Sequence, residues 1–297
     1  SMRLFLALWA VLLALPSDAL EVFVTVPEVA ALVKEIGGDK VNVFAATHGM
    51  QDPHRVEARP SLIAKARRAE LVVATGAELE VGWLPIVLRE AGNPRIQPGQ
   101  PGYFEAAGFV RMLDVPARLD RAAGDVHAAG NPHVQTDPRN ILKVGEALAE
   151  RLAALDQANA GAYRAGLAAF TAKWRAAMAR WEKEAAILKG VPIVVQHRSW
   201  SYLVDWLGMK EVAALEPKPG VEPSAAHLAR LVEQTAASRP RLVVRAAYDH
   251  PRPAEWYSAE AKIPIVVLPF TVGGDDAAKD LVSLFDLTIR RLSEPLR

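Results

Sequence analysis

Apolar residues along this chain fall into two alternating rhythms, short unbroken runs and longer stretches in which they return every three or four positions. The runs Glu21 to Val26, Val41 to Ala45 and Glu70 to Ala74 read as strands. Between them, Val29 to Ile36 reads as a helix closed by Gly37-Gly38, where glycine suits the left-handed cap. Pro60-Ser61 opens another helix, with Leu62, Ile63 and Ala66 on its apolar side, and Glu80 to Arg89 a third. Strand, helix, strand in this order predicts a doubly wound α/β lobe with a mainly parallel sheet.

Residues 93 to 136 break the rhythm. They are rich in turn formers, with one short strand expected near Phe109 to Leu113. So long a connection favours a functional loop over a passive one. From Asp137-Pro138, an N-cap followed by proline at the first helical position, Ile141, Val144, Leu148 and Leu152 return at helical spacing. Asp156 is expected to cap a second helix from about Ala158 to Leu188, roughly 45 Å long and able to span two lobes. A kinked pair of surface helices broken near Gly166 is the alternative. The second half then repeats the first. Val191 to Val195, Arg241 to Arg245 and Ile265 to Leu268 read as strands. Residues from Trp200 to Gly208, Leu228 to Ala236, Pro253 to Ala261 and Leu281 to Leu292 read as helices. The division expected is an export signal over 1–19, an N-terminal α/β lobe over 20–155, a connecting helix over 156–188 and a C-terminal α/β lobe over 189–297. Two pseudosymmetric lobes would face each other across a cleft.

The export signal rests on Met2-Arg3, the apolar run Leu4 to Leu15, and small residues around Pro16 to Ala19. This is the layout of a secretory signal, and the run is short for a membrane span. Ser1 reads as an addition ahead of the natural start. The signal places the protein in the periplasm, and no membrane span is expected in the mature chain. Composition narrows the chemistry. With 35 Lys+Arg against 34 Asp+Glu, and no long run of like charge, nucleic acid is a poor partner. The absence of cysteine removes disulfides, thiol catalysis and thiolate metal sites, and does not indicate a lipid anchor. Any metal must be held by His, Asp, Glu or backbone oxygen.

Seven histidines remain. His48, His54, His127, His133 and His250 fall in predicted loops, His197 ends a strand, and His227 sits at a helix start on the surface. His54, His133 and His197 come from both halves and their connection, so they are able to converge on one cleft. Three imidazoles plus one further ligand would make a tetrahedral zinc site. In the stretch from Gly124 to Pro138, His127 is open to two readings, a transient ligand or gate, or a solvated loop residue.

Three segments carry a resemblance. Gln51-Asp52-Pro53-His54, running on to Pro60-Ser61, resembles the Asp-Pro-His segment of the periplasmic solute-binding proteins that deliver zinc or manganese to ABC transporters. Asn131-Pro132-His133 to Asn140 is similar to that family's second histidine motif, and Val195-Gln196-His197 to Tyr202 to its third. The resemblance covers the mature chain in the correct order. It implies two pseudosymmetric lobes, a rigid connecting helix, and one metal held between the lobes, here by His54, His133 and His197. Manganese members tend to carry a carboxylate at the third position, so His197 points to zinc. The family's usual aspartate after the last strand is missing, since Phe270-Thr271-Val272-Gly273 stands there. His250 and Asp249 are the leading substitutes for the fourth ligand, ahead of Asp275 or a water. Glu216-Pro217-Lys218-Pro219-Gly220 reads as a structural turn.

The function expected is binding and delivery, by a monomer, of Zn2+ as transported ligand to the permease of an ABC transporter, with no catalysis. A manganese-binding member of the same family is one alternative. A secreted zinc-dependent hydrolase is another, disfavoured because the chain lacks His-Glu-x-x-His.

Overall fold

A computed structural model describes residues 18–118, 122, 124 and 126–297. Residues 1–17 of the expected signal segment lie outside the described residues. The N-terminal lobe holds β1 (Leu20–Val24), α1 (Pro27–Gly37), β2 (Val41–Ala45), α2 (Pro60–Arg68), β3 (Leu71–Ala74), α3 (Leu84–Ala91) and β4 (Tyr103–Glu105). Then come α4 (Pro138–Leu155) and α5 (Ala160–Glu184). The C-terminal lobe holds β5 (Pro192–Val195), α6 (Ser201–Leu207), β6 (Lys210–Ala214), α7 (Ala225–Thr235), β7 (Leu242–Ala246), α8 (Arg252–Ala261), β8 (Ile265–Leu268) and α9 (Leu281–Ser293).

Each lobe is built on a four-stranded parallel sheet, in the orders β2-β1-β3-β4 and β6-β5-β7-β8. The two orders are the same pattern repeated, which is the pseudosymmetry expected from the sequence. In register, Val22, Phe23 and Val24 of β1 stand beside Leu71, Val72 and Val73 of β3, and Ile193, Val194 and Val195 of β5 beside Leu242, Val243 and Val244 of β7. These central strands are buried on both faces, so they read as continuous apolar runs and were legible. Two strands were not anticipated. Both β4 and β6 are edge strands, and charged positions such as Glu105, Lys210 and Glu211 interrupt their apolar pattern, as suits an exposed edge. The strand expected near Phe109 to Leu113 is not there. Ala106–Phe109 forms a 3-10 turn instead, tied to the sheet by the Ala107 amide, which donates to the Thr75 carbonyl at 2.8 Å.

The connecting helix α5 runs unbroken for 25 residues, about 38 Å. Its buried stripe is Tyr163, Phe170, Trp174, Ala177 and Trp181, a single face at helical spacing. That face serves both lobes. The Trp174 indole donates to the Pro138 carbonyl at 2.8 Å, and the Trp181 indole to Asp286 Oδ1 at 2.7 Å on α9. The Asp156 side chain does not cap the helix backbone; it accepts hydrogen bonds from the Tyr163 hydroxyl at 2.6 Å and the Asn159 side-chain amide at 2.8 Å. Nor does Gly166 kink the helix. A Cβ there would stand 2.1 Å from the Ile36 carbonyl oxygen, so the missing side chain is what allows the end of α1 to lie against α5.

One apolar core passes through both lobes by way of α5, linking Val24, Leu32 and Leu148 through Trp174 and Trp181 to Val195, Leu203 and Phe285. Two smaller cores fill the outer faces, around Trp83 in the first lobe and Tyr257 in the second. A shared core resists hinge motion, because closing or opening the lobes would break close packing. Among the described residues, no helix is long and apolar enough to cross a membrane.

Candidate metal centre

The two sheets present their C-terminal strand ends to one another, the edge at which ligands sit in open α/β folds. Each of three histidines is held there by a hydrogen bond to Nδ1. Asp52 Oδ1 accepts from the His54 backbone amide at 3.0 Å and lies 2.8 Å from its Nδ1. Asn131 Oδ1 repeats this on the His133 amide at 3.0 Å and Nδ1 at 2.7 Å. In both segments a proline separates the acceptor from the histidine, and its fixed φ shapes the turn that makes the double contact possible. His197 is held differently, with Nδ1 2.6 Å from Glu216 Oε2. The same carboxylate oxygen accepts from the Gly220 amide at 2.9 Å. The segment read from sequence as a structural turn therefore also orients an imidazole.

An imidazole that donates through Nδ1 presents a lone pair at Nε2, the arrangement found in histidine metal ligands. The Nε2 atoms of His54 and His133 are buried with no hydrogen-bond partner. Leaving such atoms unmet is costly in a protein interior. One donor atom from each of His54, His133 and His197 lies within 4.8 Å of the others. Their ring centroids are 5.1 to 5.7 Å apart, so a small contraction brings three nitrogens to the 2.0–2.1 Å bond length of zinc.

The surroundings set the charge. Burial, followed by the neighbouring imidazoles of His54, His197 and His127, holds His133 well below the ordinary histidine value, which keeps it neutral and free to coordinate. Burial also acts to lower His197, but the Glu216 hydrogen bond and charge outweigh it and raise that histidine. Burial would raise Asp52, yet the His54 hydrogen bond and charge leave it lowered. The loops are pinned in turn. The Trp83 indole donates to the Pro53 carbonyl at 3.0 Å. The Asn131 side-chain amide donates to the Arg198 carbonyl at 2.7 Å and the Tyr202 hydroxyl to the Asn131 carbonyl at 2.6 Å, tying the second motif to the third across the lobes.

Of the remaining sequence-derived candidates, His250 and Asp249 line the same cleft as His54 and His197, and Asp275 lies apart from it. His250 is exposed and lies outside the three-histidine group, its Nδ1 accepting from the Arg252 amide at 3.3 Å. Asp275 is committed elsewhere, paired with Arg291 at 2.6 Å and accepting from the Ala277 amide at 2.9 Å. Asp249 lines a cleft with His54, His197 and Tyr248; burial pushes its carboxyl up to about 6, and Oδ2 accepts from the Ala246 amide at 2.8 Å. His48 is exposed. After the last strand, where the resemblance leads one to look for an aspartate, the Phe270 ring meets His133 edge-on at 5.6 Å. His127 is the residue that sequence reasoning undervalued. Its ring stacks on His54 with centroids 5.6 Å apart and planes at 27°, and its only signal in the sequence is a histidine in the loop leading to the second motif.

The family model described as zinc-uptake complex component A, periplasmic (ZnuA), matches residues 22–294. The manganese ABC transporter substrate-binding lipoprotein PsaA of Streptococcus pneumoniae is 27% identical over 274 residues, 89% of this chain and 83% of that protein. The zinc-binding lipoprotein AdcA of Streptococcus pneumoniae serotype 4 is 26% identical over 218 residues, 72% of this chain and 42% of the longer AdcA. A crystal structure of ZnuA superposes with a TM-score of 0.77 at 23% identity, over 94% of this chain and 99% of that one.

Proposed function

The chain belongs to the ZnuA family of metal-binding substrate-binding proteins of ABC transporters, and from that premise we propose that it is a zinc-binding member that delivers its ion to a membrane permease from the periplasm. The observation that carries the reading is the group of three imidazoles, His133 buried and His54 and His197 partly buried, each fixed through Nδ1 and drawing to one point from both lobes. Relatives named for manganese and for zinc are both similar to this chain, so the metal is read from the donors. An all-nitrogen set with no carboxylate within it suits zinc better than the harder manganese ion.

His54, His133 and His197 are the proposed ligands, leaving one position for a fourth donor. The chemistry is capture and hand-over. Asp52 and Glu216, the carboxylates in contact with the ligand imidazoles, orient those rings and so are not free to serve as a general base for hydrolysis. Release follows from the shared core: with the lobes joined through α5, the strand-end loops bearing His54, His133 and His197 are the parts able to yield to a transporter. The proposed division is a signal over 1–19, lobes over 20–155 and 189–297, and a connection over 156–188, the whole acting as a monomer. Relatives described as transporter lipoproteins support an extracytoplasmic location.

Isothermal titration of metal-stripped protein with zinc and with manganese tests the reading, repeated on His54→Ala, His133→Ala and His197→Ala. Tight zinc binding lost in each variant is the expected result. Tighter binding of manganese, or undiminished zinc binding in all three variants, overturns it.

A further inference from the structure

We propose that His127 is the fourth nitrogen donor of this site, moving its Nε2 into the open position to complete a four-imidazole shell around the ion. The inference rests on the three-histidine reading above and extends it. The ring centroid of His127 is 5.6 Å from that of His54, within the 5.1 to 5.7 Å found among the three, although its donor atoms lie outside the group that meets within 4.8 Å, so it completes the shell by moving inward. His127 also lines one cleft together with His133 and His197.

The orienting device is repeated as well. Each of the three ligands has an acceptor at Nδ1, namely Asp52, Asn131 and Glu216. At His127 the same ring atom faces Glu78 Oε2 at 3.9 Å, a carboxylate already fixed to this loop by the Ala128 amide, which donates to it at 2.8 Å. Glu78 is aimed there by an unusual backbone. Ala77 and Glu78 both occupy the left-handed region, at φ of 51° and 66°, a conformation that costs non-glycine residues energy and is retained where the surroundings demand it. The turn that carries His127 is firm: the Gly130 amide donates to the His127 carbonyl at 3.1 Å and the Asn131 amide to the Leu113 carbonyl at 2.8 Å. His127 is thus joined by a short, anchored turn to the residue that orients His133. Its side chain is only 13% exposed.

The competing donors are placed less well. His250 lines the neighbouring cleft with His54 and His197 but is exposed, with its Nδ1 accepting from the Arg252 amide; Asp275 is paired with Arg291, and the Phe270 ring meets His133 edge-on. Asp249 has the Ala246 amide on one carboxylate oxygen and no imidazole orientation to share. It is the rival to be excluded by experiment.

Zinc K-edge absorption on the zinc-loaded protein, with wild type, His127→Ala, His127→Gln and Asp249→Asn, counts the imidazoles directly, and zinc titration of the same proteins reads affinity. Four imidazoles in wild type, three plus an oxygen in both His127 variants, and a roughly tenfold or greater loss of affinity are expected, with the thermal midpoint of the metal-free variants unchanged. Glu78→Gln is expected to keep four imidazoles and weaken binding by about tenfold, as a positioning residue should. Three imidazoles in wild type, or a shell altered by Asp249→Asn and untouched by both His127 variants, overturns the assignment while leaving zinc binding intact. Wild type that takes up no zinc overturns this inference and the functional reading together.

Discussion

Thr271 donates its hydroxyl to Glu28 Oε2 at 2.5 Å, joining the two lobes across 243 positions of sequence. Glu28 is fully buried, and burial pushes its carboxyl from 4.5 up to about 7, partly offset by the Thr271 bond. The folded protein therefore holds this proton where the unfolded chain has released it. The contribution to stability is complete below pH 4.5 and is lost as pH rises through about 7, on the order of 3 kcal/mol in all. Glu28→Gln should flatten that fall. Denaturant midpoints of metal-free protein at pH 5 and pH 8 measure it, and an equally steep fall in the variant would exclude Glu28 as its source. Glu80 and Asp249, likewise raised by burial, are expected to contribute to the remaining slope.

Zinc binding should weaken on acidification in a defined way. Coordination requires neutral imidazole and releases any proton present. His197 is raised by Glu216 and so competes first as pH falls, whereas His133, held low, enters only under more acidic conditions. The logarithm of zinc affinity plotted from pH 8 to pH 5 should bend downward near or above the ordinary histidine value of about 6.5. A flat plot would be inconsistent with a histidine-dominated site.

Glu216→Gln separates orientation from charge at His197. Glutamine keeps an acceptor for Nδ1 but removes the negative charge that raises the imidazole. Zinc affinity at pH 8 should fall by about 10- to 100-fold, while the pH at which binding is lost moves downward. Titrations at several pH values distinguish this from simple damage to the fold, which would lower affinity without moving the pH profile.

Gly166→Ala tests how α5 is seated. In an open helix the change would stabilise by up to about 1 kcal/mol. Here the new Cβ would meet the Ile36 carbonyl oxygen at 2.1 Å, and the backbone of α1 cannot yield cheaply. A net loss of about 1–3 kcal/mol is expected, read as a lower thermal midpoint. A gain in stability would show that α1 and α5 are less tightly joined than their contact implies.

The loop glycines at the lobe boundary allow a related test. A Cβ on Gly49 would lie 2.1 Å from the Gly273 backbone carbon, so Gly49→Ala should push apart the loops that follow β2 and β8. Since His54 follows Gly49 on the same loop, zinc affinity is expected to fall along with stability; unchanged affinity would mean that His54 is positioned independently of this contact.

The residue order alone determined the central strands, because a strand buried on both faces leaves an unbroken apolar run, and the long helix, because the spacing of its apolar residues is local. It also determined how two of the three histidines are held. In Asp52-Pro53-His54 and Asn131-Pro132-His133 the orienting acceptor lies two residues from its histidine, within the reach of a single turn. The edge strands escaped notice since half-exposed segments tolerate charge. What only the tertiary structure decided are contacts whose partners are distant in sequence: Glu216 on His197, His127 beside His54, Phe270 against His133, and Thr271 on Glu28. Each joins segments far apart in the chain, with Glu28 in the first turn of α1, and where such segments meet is set by how the two lobes pack together, with α5 lying against α1, α4 and α9, which no short window of sequence contains.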